Sequence, residues 1–520
     1  MAAWAILAGE KMQTSSLDRA RKLERLEALC REMLASRRLI IASNRGPVEF
    51  HVEADGSLRP QRGSGGLVTA LSAVSRFVSP IWVASAMTEG DRRATEETGG
   101  AIDLPDQDMR IRFVSVPRSV YQRFYYVFAN PLLWFLQHYM WNTPRSPNLG
   151  RAAHEAWEGG YIPVNRAFAQ AVAAEAASSP EPPYVMLHDY HLYLATAEVR
   201  RLLPQATILH FTHIPWPAPR YWGILPRPMR EAIHESLCAA DIVGLQTDSD
   251  ARNFLYCCES MLRGVTIDYS HSVITYRGHT VYVASYPISV DAEGLLEYAQ
   301  SDEVKRYQAR LRRYLGEQTV VRVDRAEPSK NILRGLRAWE ELLERYPQFR
   351  RRVTLLQFLV PSRSELGVYR TYTDEVFQLI DAINDRYGEE DWQPVHAFYE
   401  HNYAQAVAAM RLYDVLFVNP IIDGMNLVAK EGPLVNKGDG VLILSEMAGA
   451  HEQLGEYALS ICPTDLEGTV QALYQALTMP LEERQRRAAA LKRLIQEEDL
   501  MSWLERQLRD LRAVSKGEGL

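Results

Sequence analysis

At 520 residues, 47% of them hydrophobic and 24% charged, the chain has the length of roughly three domains, and two large α/β domains with sizeable cores fit as well. Its net charge of −7 argues against nucleic acid or an anionic membrane as the main partner, so a site for an anion needs local cations. Five scattered cysteines (Cys30, Cys238, Cys257, Cys258, Cys462) fit neither a disulfide framework nor a zinc ribbon; with no run long enough to span a bilayer and only a short apolar run at residues 2–8 lacking a basic flank, the expected location is the reducing cytoplasm.

Residues 14–38 place Leu17, Ala20, Leu23, Leu26, Leu29, Met33 and Leu34 at helical spacing among charges. They predict an amphipathic helix that packs on the body or serves as a contact in a homo-oligomer. The first core strand is Leu39–Ser43, and Asn44-Arg45-Gly46-Pro47 follows it. A cation at the carboxyl end of a first parallel strand is well placed to meet an anion. Gly63-Ser64-Gly65-Gly66-Leu67 leads into a helical pattern, which lets backbone approach a ligand but equally makes a plain flexible turn. Residues 121–142 are crowded with aromatics, chiefly core, with one or two rings free to wall a sugar site. Two further strands, Tyr184–Leu187 and Thr207–Phe211, end in His188-Asp189-Tyr190-His191 and Thr212-His213-Ile214-Pro215. That repetition points to one cleft at a sheet's carboxyl edge, although a strand-end histidine is also a common structural residue. Neither zinc spacing nor a GxSxG elbow accompanies them.

The run Leu237–Leu245, a helix end and Asp leading into an apolar strand, is echoed by Met410–Val418. The expected architecture is therefore two doubly wound halves, with a hairpin at Arg277-Gly278 and a crossover over Tyr286–Asp291. In the second half, Val320–Val323 is a strand, and Arg325 and Lys330 flank the loop before a helix whose buried face is Ile332, Leu336, Trp339 and Leu343. Two cations at a helix entry oppose the helix dipole, a cost that an anion between them offsets. The strand Thr354–Leu359 ends at Pro361-Ser362-Arg363, and Val441–Ser445 is a further buried strand. Between these two, Asp414–Val418 runs into Asn419–Gly432, read as strand, tight loop and helix. Free N–H groups at such a helix start favour phosphate. Asp423 at the loop mouth can accept hydrogen bonds from sugar hydroxyls, and Glu431, expected about two turns into the helix, can reach a ribose. An ordinary connection capped by Asp423 has the same spacing.

Taken together these motifs resemble the trehalose-6-phosphate synthases, retaining glycosyltransferases of family 20. They are Ser43-Asn44-Arg45, Gly65-Gly66-Leu67, the run His188–Leu192, the run His213–Pro217, the spaced Arg325 and Lys330, Pro361-Ser362-Arg363, and Asp423–Glu431. The resemblance runs from about Leu39 to the C-terminal helices. It implies an α/β GT-B fold in which two Rossmann-like doubly wound domains face a central cleft. The implied divisions are an N-terminal helical extension (1–38), an acceptor domain (39–288), a donor domain (289–480) and C-terminal helices (481–520) that pack back on the acceptor domain.

The implied reaction transfers glucose from an NDP-glucose (UDP, GDP or ADP) to glucose 6-phosphate with retention. The implied catalytic residues are Asp189, His213, Arg325, Lys330 and Asp423. The donor would be held by Gly66, Arg325, Lys330, Tyr403, Asp423, Gly424, Met425, the backbone N–H groups of Asn426, Leu427 and Val428, and Glu431. The acceptor would be held by Arg45, Tyr125, Trp134, Asp189 and Arg363. Neither a metal nor another cofactor is implied; the nucleotide sugar is a substrate. The chain departs from the pattern at Ile422, at Glu327-Pro328 before Ser329-Lys330, and at Ser85, positions that bear on the donor base and the sugar pocket. The related readings are a transferase with another phosphorylated acceptor (glucosylglycerol-phosphate or validoxylamine-phosphate synthase) and a silent sugar-phosphate sensor on the same fold.

Overall fold

The computed structural model describes residues 21–62, 79–104, 109–177, 179–363 and 366–520. They form two compact units: one holds the residues up to Tyr286 together with Leu500–Leu520, and the other holds Pro287–Asp499.

The first unit is built on strands β1 (Leu39–Ser43), β2 (Val48–Val52), β3 (Leu58–Arg62), β4 (Ile81–Ser85), β5 (Ala101–Leu104), β6 (Met109–Val114), β7 (Tyr184–His188), β8 (Thr207–Phe211), β9 (Ile242–Leu245), β10 (Thr266–Asp268), β11 (Val273–Tyr276) and β12 (His279–Ser285). Among the described residues the main sheet has the order β10-β11-β12-β9-β8-β7-β1-β4-β6-β5, with β2 and β3 pairing separately. From β12 to β6 neighbouring strands are parallel. β1, β4, β7, β8 and β9 are buried at every residue, as strands covered on both faces must be, which is why they read as unbroken apolar runs. The chain runs outward from β1 through β4 to β6, then returns to lay β7 on the other side of β1. The crevice outside the carboxyl ends of β1 and β7 is thus a topological switch point, where open α/β sheets bind ligands.

The second unit has β13 (Gln318–Arg325), β14 (Val353–Val360), β15 (Val395–Tyr399), β16 (Val415–Val418), β17 (Val441–Ser445) and β18 (Leu459–Ile461). They lie in the order β15-β14-β13-β16-β17-β18, all parallel. The two units are thus both doubly wound, with a second switch point between β13 and β16, although the echoing segments themselves fall on non-equivalent strands, β9 and β16. The helix Ile332–Arg345 packs with Ile332, Leu336, Trp339 and Leu343 all buried, the face that its spacing predicts. Gly335 on that helix lies over the fully buried Arg322, and a Cβ there would overlap the guanidinium. Arg322 in turn pairs with buried Asp324 at 3.0 Å.

The observed division differs from the expected one in two places. The first unit ends at Tyr286 rather than at residue 288. The C-terminal segment is split: Leu481–Glu497 belongs to the second unit and Leu500–Ser515 to the first. Trp503 explains the second assignment, since it is fully buried, donates to Tyr286 O at 3.1 Å and sets its ring edge-on against Phe211 of β8. The described part of the N-terminal helix, 21–33, buries Leu26, Leu29 and Met33. It is tied to the same C-terminal helix by Arg25–Glu505 at 3.1 Å and Glu32–Arg512 at 2.8 Å. Its apolar face is therefore used within the first unit. Among the described residues no helix is long and apolar enough to cross a membrane.

Candidate functional site

At the switch point of the first unit, β1 delivers Asn44 and Arg45, and β7 delivers His188 and Asp189. Arg45 hydrogen-bonds to the Tyr125 side chain. The Tyr125 ring is stacked between Tyr121 (centroids 5.6 Å, 10°) and His191 (5.9 Å, 12°). Asn44 Nδ2 reaches Tyr121 OH at 3.4 Å and Asn44 Oδ1 accepts from Ser85 Oγ at 2.9 Å, so Ser85 serves to orient Asn44. Asp189 sits at φ 75°, ψ 168°, a region that costs a non-glycine residue about 1–3 kcal/mol and recurs at functional sites. Its Oδ1 accepts from His213 N at 3.2 Å, and its Oδ2 lies 3.8 Å from His191 Nδ1.

Beneath Asp189, His188 Nδ1 and His213 Nε2 are 3.2 Å apart. Burial pushes the His188 imidazole down to about 3 and His213 well below its usual value, so both rings are neutral at pH 7. Trp134, expected beside Arg45, is 1% exposed, with its ring stacked on His138 at 4.0 Å. It ends the π-helix (Arg123–Trp134) on which Tyr125 also lies. Gly66 and its loop lie outside the described residues.

At the switch point of the second unit, two loops are stitched together. After β13, Asn331 takes φ 56° and donates through Nδ2 to Asn419 O (3.0 Å) and Pro463 O (2.7 Å); Ile421 N donates to Ser329 O at 2.8 Å. This places Lys330 Nζ on Asp423 Oδ2, and Asn426 Nδ2 donates to the same oxygen at 3.1 Å. The Asp423 backbone is pinned to the loop after β17 by Asp423 N to Met447 O and Gly449 N to Asp423 O. Gly424 and Met425 are buried, and Met425 O accepts from Ala450 N at 2.9 Å.

Arg325 is 47% exposed and pairs at 2.8 Å with the fully buried Glu327, which also accepts from Ser329 Oγ and Ser362 Oγ. The expected pair of cations waiting for an anion is thus a pair of cations each held by a carboxylate. Glu327 offsets the charge at this loop, a role that its place in the sequence does not reveal.

The loop from Asn419 is longer than expected. Asn426 takes φ 72°, the helix starts at Val428, and Glu431 falls in its first turn rather than two turns in. The N–H groups of Asn426, Leu427 and Val428 precede the first bond of the turn, Ala429 N to Asn426 O at 3.3 Å, so they sit at the positive end of the helix. Burial raises the Glu431 carboxyl, opposed by a 3.0 Å bond from Tyr403 OH. The Tyr403 ring is half exposed and stacks on Tyr298 (5.7 Å, 15°), a partner 105 positions earlier that no local pattern marks. Arg363 follows β14, takes φ 44° and donates to Tyr369 OH at 2.6 Å. It belongs to the second unit, whereas Arg45, Tyr125 and Asp189 belong to the first. Among the described residues no three or more His, Cys, Asp or Glu side chains are grouped to hold a metal ion.

Comparison with known proteins identifies the family. The model for glycosyltransferase family 20 matches residues 37–513. The bifunctional trehalose-6-phosphate synthase/phosphatase of Thermoproteus tenax is 32% identical over 90% of this chain, which spans 62% of that protein's length. The alpha,alpha-trehalose-phosphate synthase [UDP-forming] of Schizosaccharomyces pombe is 30% identical over 92% of this chain and 91% of its own. Among solved structures, an alpha,alpha-trehalose-phosphate synthase (UDP-forming) from Burkholderia xenovorans in complex with glucose-6-phosphate superposes with a TM-score of 0.77, at 29% identity, over 91% of this chain and 100% of that one.

Proposed function

The chain belongs to glycosyltransferase family 20, and from that premise we propose that it transfers glucose from an NDP-glucose to glucose 6-phosphate with retention, giving trehalose 6-phosphate and NDP. The observation that carries this reading is the cluster of Lys330, Asp423 and Asn426 at the switch point of the second unit. It joins a cation for a leaving phosphate to a carboxylate for sugar hydroxyls.

In this reading Arg325 and Lys330 exchange their carboxylate partners for the donor diphosphate and stabilise its charge as the C1–O bond breaks. Asp423, Gly424 and Met425 shape the glucose seat, the N–H groups of Asn426, Leu427 and Val428 meet sugar and phosphate, Glu431 accepts from the ribose, and Tyr403 packs on the base. Arg45 and Tyr125 hold the acceptor phosphate, with Trp134, Arg363 and Gly66 assigned to the sites by the family pattern. Asp189 and His213 orient sugar hydroxyls. Attack comes from the face the diphosphate leaves, so no side chain serves as nucleophile. The proposed donor is UDP-glucose, in line with the UDP-forming relatives, with no metal required. The proposed setting is the cytoplasm, which five free cysteines suit.

The test incubates the purified chain with glucose 6-phosphate and, separately, UDP-, GDP- and ADP-glucose, and identifies the product by mass and NMR. A phosphorylated α,α-linked disaccharide with UDP-glucose is expected; no sugar product from any donor would overturn the reading.

A further inference from the structure

The two histidines under Asp189 carry more information than their proximity. His188 is fully buried. Its Nδ1 faces His213 Nε2 at 3.2 Å, and among the described residues its buried Nε2 has no hydrogen-bond partner. Two neutral imidazoles that meet through one nitrogen each can share only one proton, so one ring donates and the other accepts. If His188 accepted, its own proton would sit on Nε2 as a buried N–H with no acceptor. If His188 donates, Nε2 is a bare lone pair. Orphaned buried N–H groups are the rarer and costlier of the two. The proton therefore lies on His188 Nδ1, His213 Nε2 accepts it, and the remaining proton of His213 lies on Nδ1. His213 is only partly buried, and Nδ1 is the ring nitrogen that His188 leaves unoccupied.

We infer that His188 is a positioning residue that locks His213 in the Nδ1–H tautomer, so that His213 meets the sugar as a neutral hydrogen-bond donor, complementary to the acceptor Asp189 beside it. The assignment of a sugar to this site rests on the proposed function; the tautomer does not. A donor ring next to an acceptor carboxylate recognises a hydroxyl through both its oxygen lone pair and its proton. A ring free to exchange tautomers would offer that pairing only part of the time.

The test has two parts. Nitrogen NMR of the full chain labelled with 15N-histidine, with signals assigned by comparison with His188→Asn and His213→Asn, reads which ring nitrogens are protonated without any substrate. Protonated Nδ1 on both His188 and His213 is expected, and a proton on His213 Nε2 would overturn the inference. Steady-state kinetics supply the second part. His188→Phe removes the donor and should lower kcat by about 10–100-fold, the scale seen for partners that orient functional histidines. His188→Asn, whose amide N–H falls near the imidazole Nδ1–H, should restore most of that loss. Equal losses in the two variants would also overturn it. A chain that transferred no glucose would remove the sugar from the site, yet the NMR result would still decide the tautomer.

Discussion

The two switch points share a topology but are built from different materials. In the first unit rings surround one cation and one carboxylate: Tyr121, Tyr125 and His191 stack beside Arg45 and Asp189, with the neutral His188 bonded to the neutral His213. In the second the site is made of ion pairs: Lys330 with Asp423, and Arg325 with Glu327. Stacked rings need no partner exchange to receive a ligand, whereas paired cations must release a carboxylate before they can grip a diphosphate. In the proposed reaction the first site is set before binding, and the second is held in reserve. Charge that would be costly to leave unpaired near a buried loop is thus stored on internal carboxylates until a more highly charged ligand arrives.

The largest effects should come from the second site. Lys330→Ala and Arg325→Ala should each lower kcat by about 10²–10³. Tyr125→Phe in the first site should chiefly raise the acceptor KM, by about tenfold, for the loss of one hydrogen bond to Arg45, the residue proposed to hold the acceptor phosphate. Comparable kcat losses in all three would erase the distinction.

The first unit should be the acid-sensitive one. His188 and His210 are pushed down to about 3 and His234 to about 4 by burial. Between pH 6.5 and those values the unfolded chain binds protons that the folded chain does not, so stability falls on acidification. The slope approaches about 1.4 kcal/mol per pH unit for each such histidine. Urea unfolding at pH 7 and pH 5 measures it, and an unchanged midpoint would show that these rings are not buried neutral.

A smaller effect separates the carboxylates of the second site. Tyr403→Phe removes the 3.0 Å bond to Glu431 and should raise the donor KM about three- to tenfold, with kcat nearly constant. The smallest is a control on ion pairs in general. Arg351 bridges Glu389 and Asp391 on the surface, and Arg351→Ala should change stability by no more than roughly 1 kcal/mol.

The parallel strands were legible because a strand buried on both faces writes a continuous apolar run, as in Leu39–Ser43 and Val441–Ser445. The helix face Ile332-Leu336-Trp339-Leu343 was legible for the same reason at a different period. Arg45, Asp189, Lys330 and Asp423 could be placed because each follows such a strand. What the pattern hid was conformation inside the loops. Asn426 and Asn331 adopt left-handed backbone, and Asn426 shifts the helix start so that Glu431 lands in the first turn. Glu327 looked like a departure in a motif, but it is the carboxylate that holds Arg325. Tyr298 and the division of the C-terminal helices depend on long-range packing that no local window contains.

The central claim is that these two sites serve a single transfer between two sugars. The most direct measurement is nucleotide release from UDP-glucose with and without glucose 6-phosphate, together with the anomeric configuration of the product. The account predicts UDP release that depends on glucose 6-phosphate and an α,α-linked phosphorylated disaccharide in equal amount. Release at the same rate without the acceptor, or a product with inverted configuration, would contradict it.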